Sequence, residues 1–146
     1  MGSDIDAARI AVRESIDRWI DAVRARDLDA MMNAYADDLV GFDVMPPARH
    51  EGRDAWRRVW AGFFENTEGP IDFETSEMRI EAGADLAWCH LLNRVGCTGK
   101  DGTRHEALVR ATICFRNSDG RWLVAHEHAS IPMPMPSPGA CESAAQ

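Results

Sequence analysis

The chain changes its hydrophobic period once, near Gly69-Pro70, and that change restricts the fold more than any other feature. Before it, apolar residues recur at steps of three and four, as on an amphipathic helix. After it they alternate, as on a strand with one buried face. Ile5, Val12, Ile16, Trp19, Ile20 and Val23 predict a long helix from Asp4 to about Arg26, with Ser3 placed to cap it. Asp27 can cap a short second helix carrying Leu28, Met31, Met32 and Tyr35. "LVGFDV" then reads as a strand stopped by Pro46-Pro47, with Asp43 near its end. "RDAWRRVWAGFFEN" sets Trp56, Val59, Trp60, Phe63 and Phe64 on one stripe of a third helix, which Gly69-Pro70 ends.

In the second half Ile71, Phe73 and Thr75 alternate on one parity, and Met78, Ile80 and Ala82 on the other. One inserted residue near Ser76, a β-bulge that bends the strand, accounts for the switch. Turn signals at 82–85, 99–102 and 117–120 separate four long strand-like runs, which predicts an antiparallel meander in place of parallel βαβ units. Helices first and strands after make an α+β domain, with the helices packed in the concavity of a curved, mainly antiparallel sheet. The domain is expected over 1–133. The segment 134–146, rich in proline together with Pro132, is expected to be extended or flexible.

Sixteen basic against 24 acidic residues give a formal charge of −8, which disfavours nucleic acid and anionic membrane surfaces as partners. The N-terminus lacks the apolar core of a secretory signal. No run approaches the roughly 20 apolar residues of a membrane span, so a cytoplasmic protein is expected. Cys89, Cys97, Cys114 and Cys141 show no CxxC spacing and predict neither a disulfide framework nor a zinc-finger site.

Strand parity selects the candidate chemistry. On "GRWLVAHEHAS", strict alternation puts Trp122, Val124, His126, His128 and Ser130 on one face, and Leu123, Ala125, Glu127 and Ala129 on the other. Trp88 shares a face with His90, and Arg110 with Thr112 and Cys114. Asp43, His90, Arg110, His126 and His128 are therefore expected to converge on one cavity, walled by Trp19, Trp56, Trp60, Phe64 and Trp88. A carboxylate in such a cavity has its pKa raised by desolvation and can remove a carbon-bound proton, which is the role expected of Asp43. The competing reading for Asp43 is a turn residue bonding nearby amides. Arg110 would meet a bound carboxylate or enolate, or an internal acid. Three histidines also leave open a metal site, although each can equally be a hydrogen-bonded core residue.

The runs "AVRARDLDAMMNAYADDLVGFDV", "AGFFENTEGPIDFETSEMRI" and "CFRNSDGRWLVAHEHASIP" resemble the NTF2-like superfamily, and more narrowly its SnoaL-like and ketosteroid-isomerase-related members, over residues about 5 to 133. The resemblance implies a cone of three helices wrapped by a curved sheet, and a homodimer formed through the outer sheet face. It places Asp43 where steroid isomerases keep their general base, with "YADD" at 35 to 38 setting the register. It matches their first-helix tyrosine with Trp19 and their oxyanion-hole aspartate with Thr112, so both oxyanion groups are replaced here.

The expected function is a small-molecule enzyme that abstracts a proton from a carbonyl compound without a cofactor, as an isomerase or cyclase would. Asp43 is the expected base, with Arg110 and His126 or His128 as electrophilic partners. Trp19, Trp56, Trp60, Trp88, His90 and Thr112 are expected to bind the substrate. A noncatalytic domain that captures a carboxylate or assembles subunits is the alternative, and a metal-dependent enzyme using the three histidines is a second.

Overall fold

The computed structural model describes residues 2–135. The expectation for segment 134–146 thus falls almost wholly outside the described residues, as does Cys141. Helix α1 spans Gly2–Arg24 and buries Val12, Ile16, Ile20 and Val23, the stripe its three-and-four spacing predicts. It begins before Ser3, which sits inside its first turn. Asp27 caps α2 (Leu28–Met32) by accepting from the Ala30 N–H at 3.1 Å.

Tyr35 is not on this helix. It opens strand β1 (Tyr35–Phe42), which begins four residues earlier than the apolar run suggested. The short strand β2 (His50–Glu51), which the sequence reading did not include, returns antiparallel to β1 and pairs His50 with Gly41.

Helix α3 (Arg53–Glu65) ends before Gly69-Pro70. Asn66 and Thr67 close it by donating from their side chains to the Gly62 and Phe63 carbonyls at 2.7 and 2.8 Å. Strand β3 (Thr67–Ala82) starts at once and absorbs Gly69-Pro70 as an irregularity between Glu68 and Asp72. The bulge predicted near Ser76 is present: the β3 register shifts between Ser76 and Arg79, with Glu77 at φ +53°.

Strands β4 (Leu86–Gly99), β5 (Arg104–Ser118) and β6 (Arg121–Ser130) complete the meander at the predicted turns. The six strands form one sheet in the order β2-β1-β6-β5-β4-β3, with β1 and β6 parallel and every other pair antiparallel. Its concave face carries Ile71, Phe73, Cys89, Leu91, Ile113 and Phe115, which form one core with α1, α2 and Trp56 of α3. The architecture is the α+β cone expected from the sequence. No helix among the described residues is long and apolar enough to cross a membrane.

Candidate active site

Which β6 side chains enter the cone is decided by one residue. Cys114 pairs with His126 and Phe115 with Val124, so Ala125 is an extra residue on β6 opposite the Cys114–Phe115 step. Such a bulge reverses the alternation beyond it. Val124 faces inward before the bulge, and Glu127, paired with inward-facing Ile113, faces inward after it. His126 and His128 are thereby turned to the outer face.

The convergence expected of Asp43, His90, Arg110, His126 and His128 does not occur, because the sheet itself stands between them. Trp88 pairs with Cys114, which pairs with His126, while His90 pairs with Thr112, which pairs with His128, so all six share the outer face. Arg110 also lies there, exposed, and donates from Nε to Ser130 Oγ at 3.1 Å. His126 Nδ1 lies 2.7 Å from the Val40 carbonyl oxygen, and the Phe42 ring packs edge-on against both His126 and His128. The three-histidine set of the metal alternative is not assembled: β5 separates His90 from the β6 pair by two inter-strand spacings, roughly 10 Å. Among the described residues no three His, Cys, Asp or Glu side chains lie close enough to hold a metal ion.

The concave side keeps Trp19, Trp56 and Trp60, and adds two residues that the sequence reading passed over. Tyr35, the first residue of β1, donates its hydroxyl to Glu127 Oε2 at 3.2 Å, and both side chains are buried. Glu127 is the one Asp, Glu, Lys or Arg buried among the described residues, at 8% exposed. Burial pushes its carboxyl up to about 7; the Tyr35 hydroxyl pulls the other way, and the negative charge of Asp43 adds a further push. Burial and the Glu127 charge also drive the Tyr35 phenol well above its ordinary value, while the nearby indoles of Trp56 and Trp19 oppose that rise. Asp43 lies one residue past β1, half-buried, on the parity of inward-facing Leu39 and Gly41.

Around this pair the cone encloses a cavity lined by Trp19 and Ser15 of α1, Thr75 of β3, Asn93 of β4 and Tyr35 and Glu127. Its volume is about 20 Å³ for the centre of a water-sized sphere, room for one water molecule. Thr75 donates to Asn93 Oδ1 at 2.8 Å, which leaves the amide NH₂ as the group free to donate. Trp60 packs edge-to-face on Trp19 with ring centroids 5.2 Å apart, and the half-buried Phe63 and Phe64 continue that aromatic wall.

A buried carboxyl that changes charge near neutrality, hydrogen-bonded in a small apolar chamber, can give or take a proton from a bound molecule. The sequence signal for Glu127 was a single acid between two histidines in an otherwise apolar strand. Strict alternation grouped it with Leu123, Ala125 and Ala129.

The model of the SnoaL-like domain matches residues 12–134. No curated protein matches the chain. Among solved structures, an NTF2-like protein of unknown function from Pseudomonas putida KT2440 is 37% identical, with 89% of this chain and 90% of that one covered and a TM-score of 0.80. A ketosteroid isomerase-like protein from Erwinia carotovora atroseptica SCRI1043 is 23% identical over 86% of this chain and 96% of that one, at a TM-score of 0.73. A type 2 hexachlorocyclohexane dehydrochlorinase shares the fold at 13% identity, covering 95% of this chain and 99% of that one, at a TM-score of 0.79. With its cone, its six-stranded sheet and a family match over most of its length, the chain belongs to the SnoaL-like domain family of NTF2-like proteins.

Proposed function

We propose that the chain is an enzyme that removes a proton from carbon next to a carbonyl group, with Glu127 as the base and no cofactor. The observation that carries this reading is the burial of Glu127 on the concave face, against the Tyr35 hydroxyl and beside the one-water cavity. Glu127 takes the role that the sequence suggested for Asp43, and Asp43 tunes it through its charge. A carboxylate with its pKa near neutrality is about half ionised at pH 7 and far more basic than an exposed one, the compromise that general-base catalysis favours. Isomerisation and elimination begin with the same step and differ in where the electron pair then goes. Two structural neighbours carry names of such reactions, an isomerase-like protein and a dehydrochlorinase.

The test needs no knowledge of the natural substrate. Small cyclic ketones are incubated with the protein in D₂O, and loss of the α-proton signal is followed by NMR. Glu127→Gln is expected to lower the exchange rate at least ~100-fold, the usual worth of a positioned base, while Asp43→Asn retains exchange and moves its pH profile to lower pH. Full exchange in Glu127→Gln would overturn the reading, and loss of exchange in Asp43→Asn alone would return the role to Asp43.

The same reading keeps the homodimer that the family resemblance implies. Trp88, at 42% exposed, and Leu108, at 39%, stand on the outer sheet face, and a second copy covering them is the partner we propose.

A further inference from the structure

The cavity beside Glu127 has room for one water molecule, so a carbon compound enters it only if a wall moves. Most of that wall is fixed. Leu91, Ile113, Phe115 and Val124 are buried on β4, β5 and β6, strands with a hydrogen-bonded neighbour on each side. Trp19 is the exception among the aromatic lining: it is half-buried, whereas Tyr35 and Phe115 are each 2% exposed. From outside it is braced by Trp60, edge-on at 5.2 Å, and Trp60 in turn by Phe64 at 6.1 Å. Both braces stand on the last turns of α3, a helix in which only Trp56 is buried. Core burial therefore does little to hold that end in place.

What holds it is Arg26. Helix α1 ends with the Asp27 N–H donating to the Ala22 carbonyl at 2.9 Å and the Arg26 N–H to the Val23 carbonyl at 3.0 Å. These bonds put Arg26, at φ +55°, in the left-handed position that glycine usually fills, where a side chain carries a backbone cost. Its guanidinium reaches away from α1. Nη1 donates to the carbonyls of Phe64 and Thr67 at 3.2 and 3.4 Å, Nε and Nη2 donate to the Gly69 carbonyl at 3.2 and 2.9 Å, and the charge lies 5.6 Å from the centre of the Phe64 ring. One planar fork thus ties the last turn of α3 and the start of β3 to the end of α1, a geometry that an ammonium group cannot reproduce. A second link from α3, Arg57 to Asp29 at 2.5 Å, is solvent-exposed and contributes little.

We propose that the C-terminal end of α3 is a movable wall latched by Arg26, and that its release frees Trp60 and Trp19 to draw back and admit a compact ketone to Glu127. This rests on the proton-abstraction reading for what is admitted, and adds how the molecule gets in. Opening also relieves a defect of the closed state. Trp19 Nε1 and Trp60 Nε1 are buried there with no hydrogen-bond partner among the described residues, and water reaches both once the wall moves. The fork of one arginine is thus set against the hydration of two indoles.

Hydrogen exchange on the full chain tests the latch, with Arg26→Gly as the variant. Glycine suits φ +55°, so the turn is kept while the fork is lost. The backbone amides of 62–66 and the indole N–H groups of Trp19 and Trp60 are expected to exchange at least ~10-fold faster than in wild type, because bonds from a charged donor are gone. The amides of 12–20 in α1 and those of β5 are expected to keep their rates. Trp19→Phe and Trp60→Phe assign the indole signals. Arg26→Lys, which keeps a charge near Phe64, is expected to restore only part of the protection, and it is judged by the same comparison if Arg26→Gly does not fold. Unmoved 62–66 amides, an unmoved Trp19 indole, or equal acceleration throughout α1 and β5 overturns the proposal. Local acceleration in a protein that exchanges no ketone α-protons in D₂O would sustain the latch and defeat the proton-abstraction reading; ketone exchange by wild type without local acceleration in the variant would do the reverse.

Discussion

At the scale of single residues, the proposed chemistry rests on Tyr35 and Glu127. A carboxyl raised from 4.5 to about 7 holds a proton in the folded chain that the unfolded chain releases. Between those two pH values the native state binds more protons, so stability falls as pH rises through the window. Full transfer of that shift corresponds to on the order of 3 kcal/mol, an upper bound because the buried site relaxes on ionisation. Glu127→Gln should therefore match wild type in urea denaturation at pH 4.5, exceed it at pH 8, and lose the slope between. Neither residue was legible as a site residue. Tyr35 follows Met31 and Met32 at helical spacing and reads as part of α2. Glu127 was assigned to a face by counting through "LVA", where three consecutive apolar residues fit either parity and conceal the extra one.

At the scale of elements, the two bulges show when such an irregularity can be read. Near Ser76 the apolar residues themselves change parity, from Ile71 and Phe73 to Met78 and Ile80, so the insertion is visible in the sequence. At Ala125 no polar residue marks the slip, and the histidines changed face unannounced. The aromatic stripe of α3 was legible, and it delivered Trp56 and Trp60 to the interior as expected. Seating α3 depends on Gly41 of β1, where a Cβ would lie 2.5 Å from the Trp56 ring. That ring also packs against Tyr35 and His50, which leaves it little room to retreat. Gly41→Ala is expected to destabilise the protein by about 1–3 kcal/mol through overpacking, measured by urea denaturation. Tyr35 and Trp56 being neighbours, the same variant should also slow ketone exchange.

At the scale of the whole molecule, the sheet divides the candidate residues into two sets, one on each face. The concave set, Trp19, Trp56, Trp60, Tyr35 and Glu127 with Asp43 beside it, surrounds a small, mostly apolar cavity with room for one water, and the proposed proton abstraction is placed there. The outer set, Trp88, His90, Arg110, Thr112, His126 and His128, covers a broad face with Trp88 stacked on His90. Trp88→Glu puts a charge where a second copy is proposed to pack, and sedimentation should then find monomer where wild type sedimentes as dimer; a monomeric wild type would remove the proposed contact. The cone and the curved sheet were legible because they follow from segregated periodicity and turn positions. The division between faces was not, since it depends on one unmarked residue in one strand.

The most direct measurement is a ¹³C NMR titration of the glutamate side-chain carboxyls, with Glu127→Gln assigning the signal. A carboxyl that titrates near pH 7 and vanishes in the variant is the expected result. A Glu127 signal that titrates near 4.5, the ordinary glutamate value, would contradict the buried base on which the proposed chemistry stands.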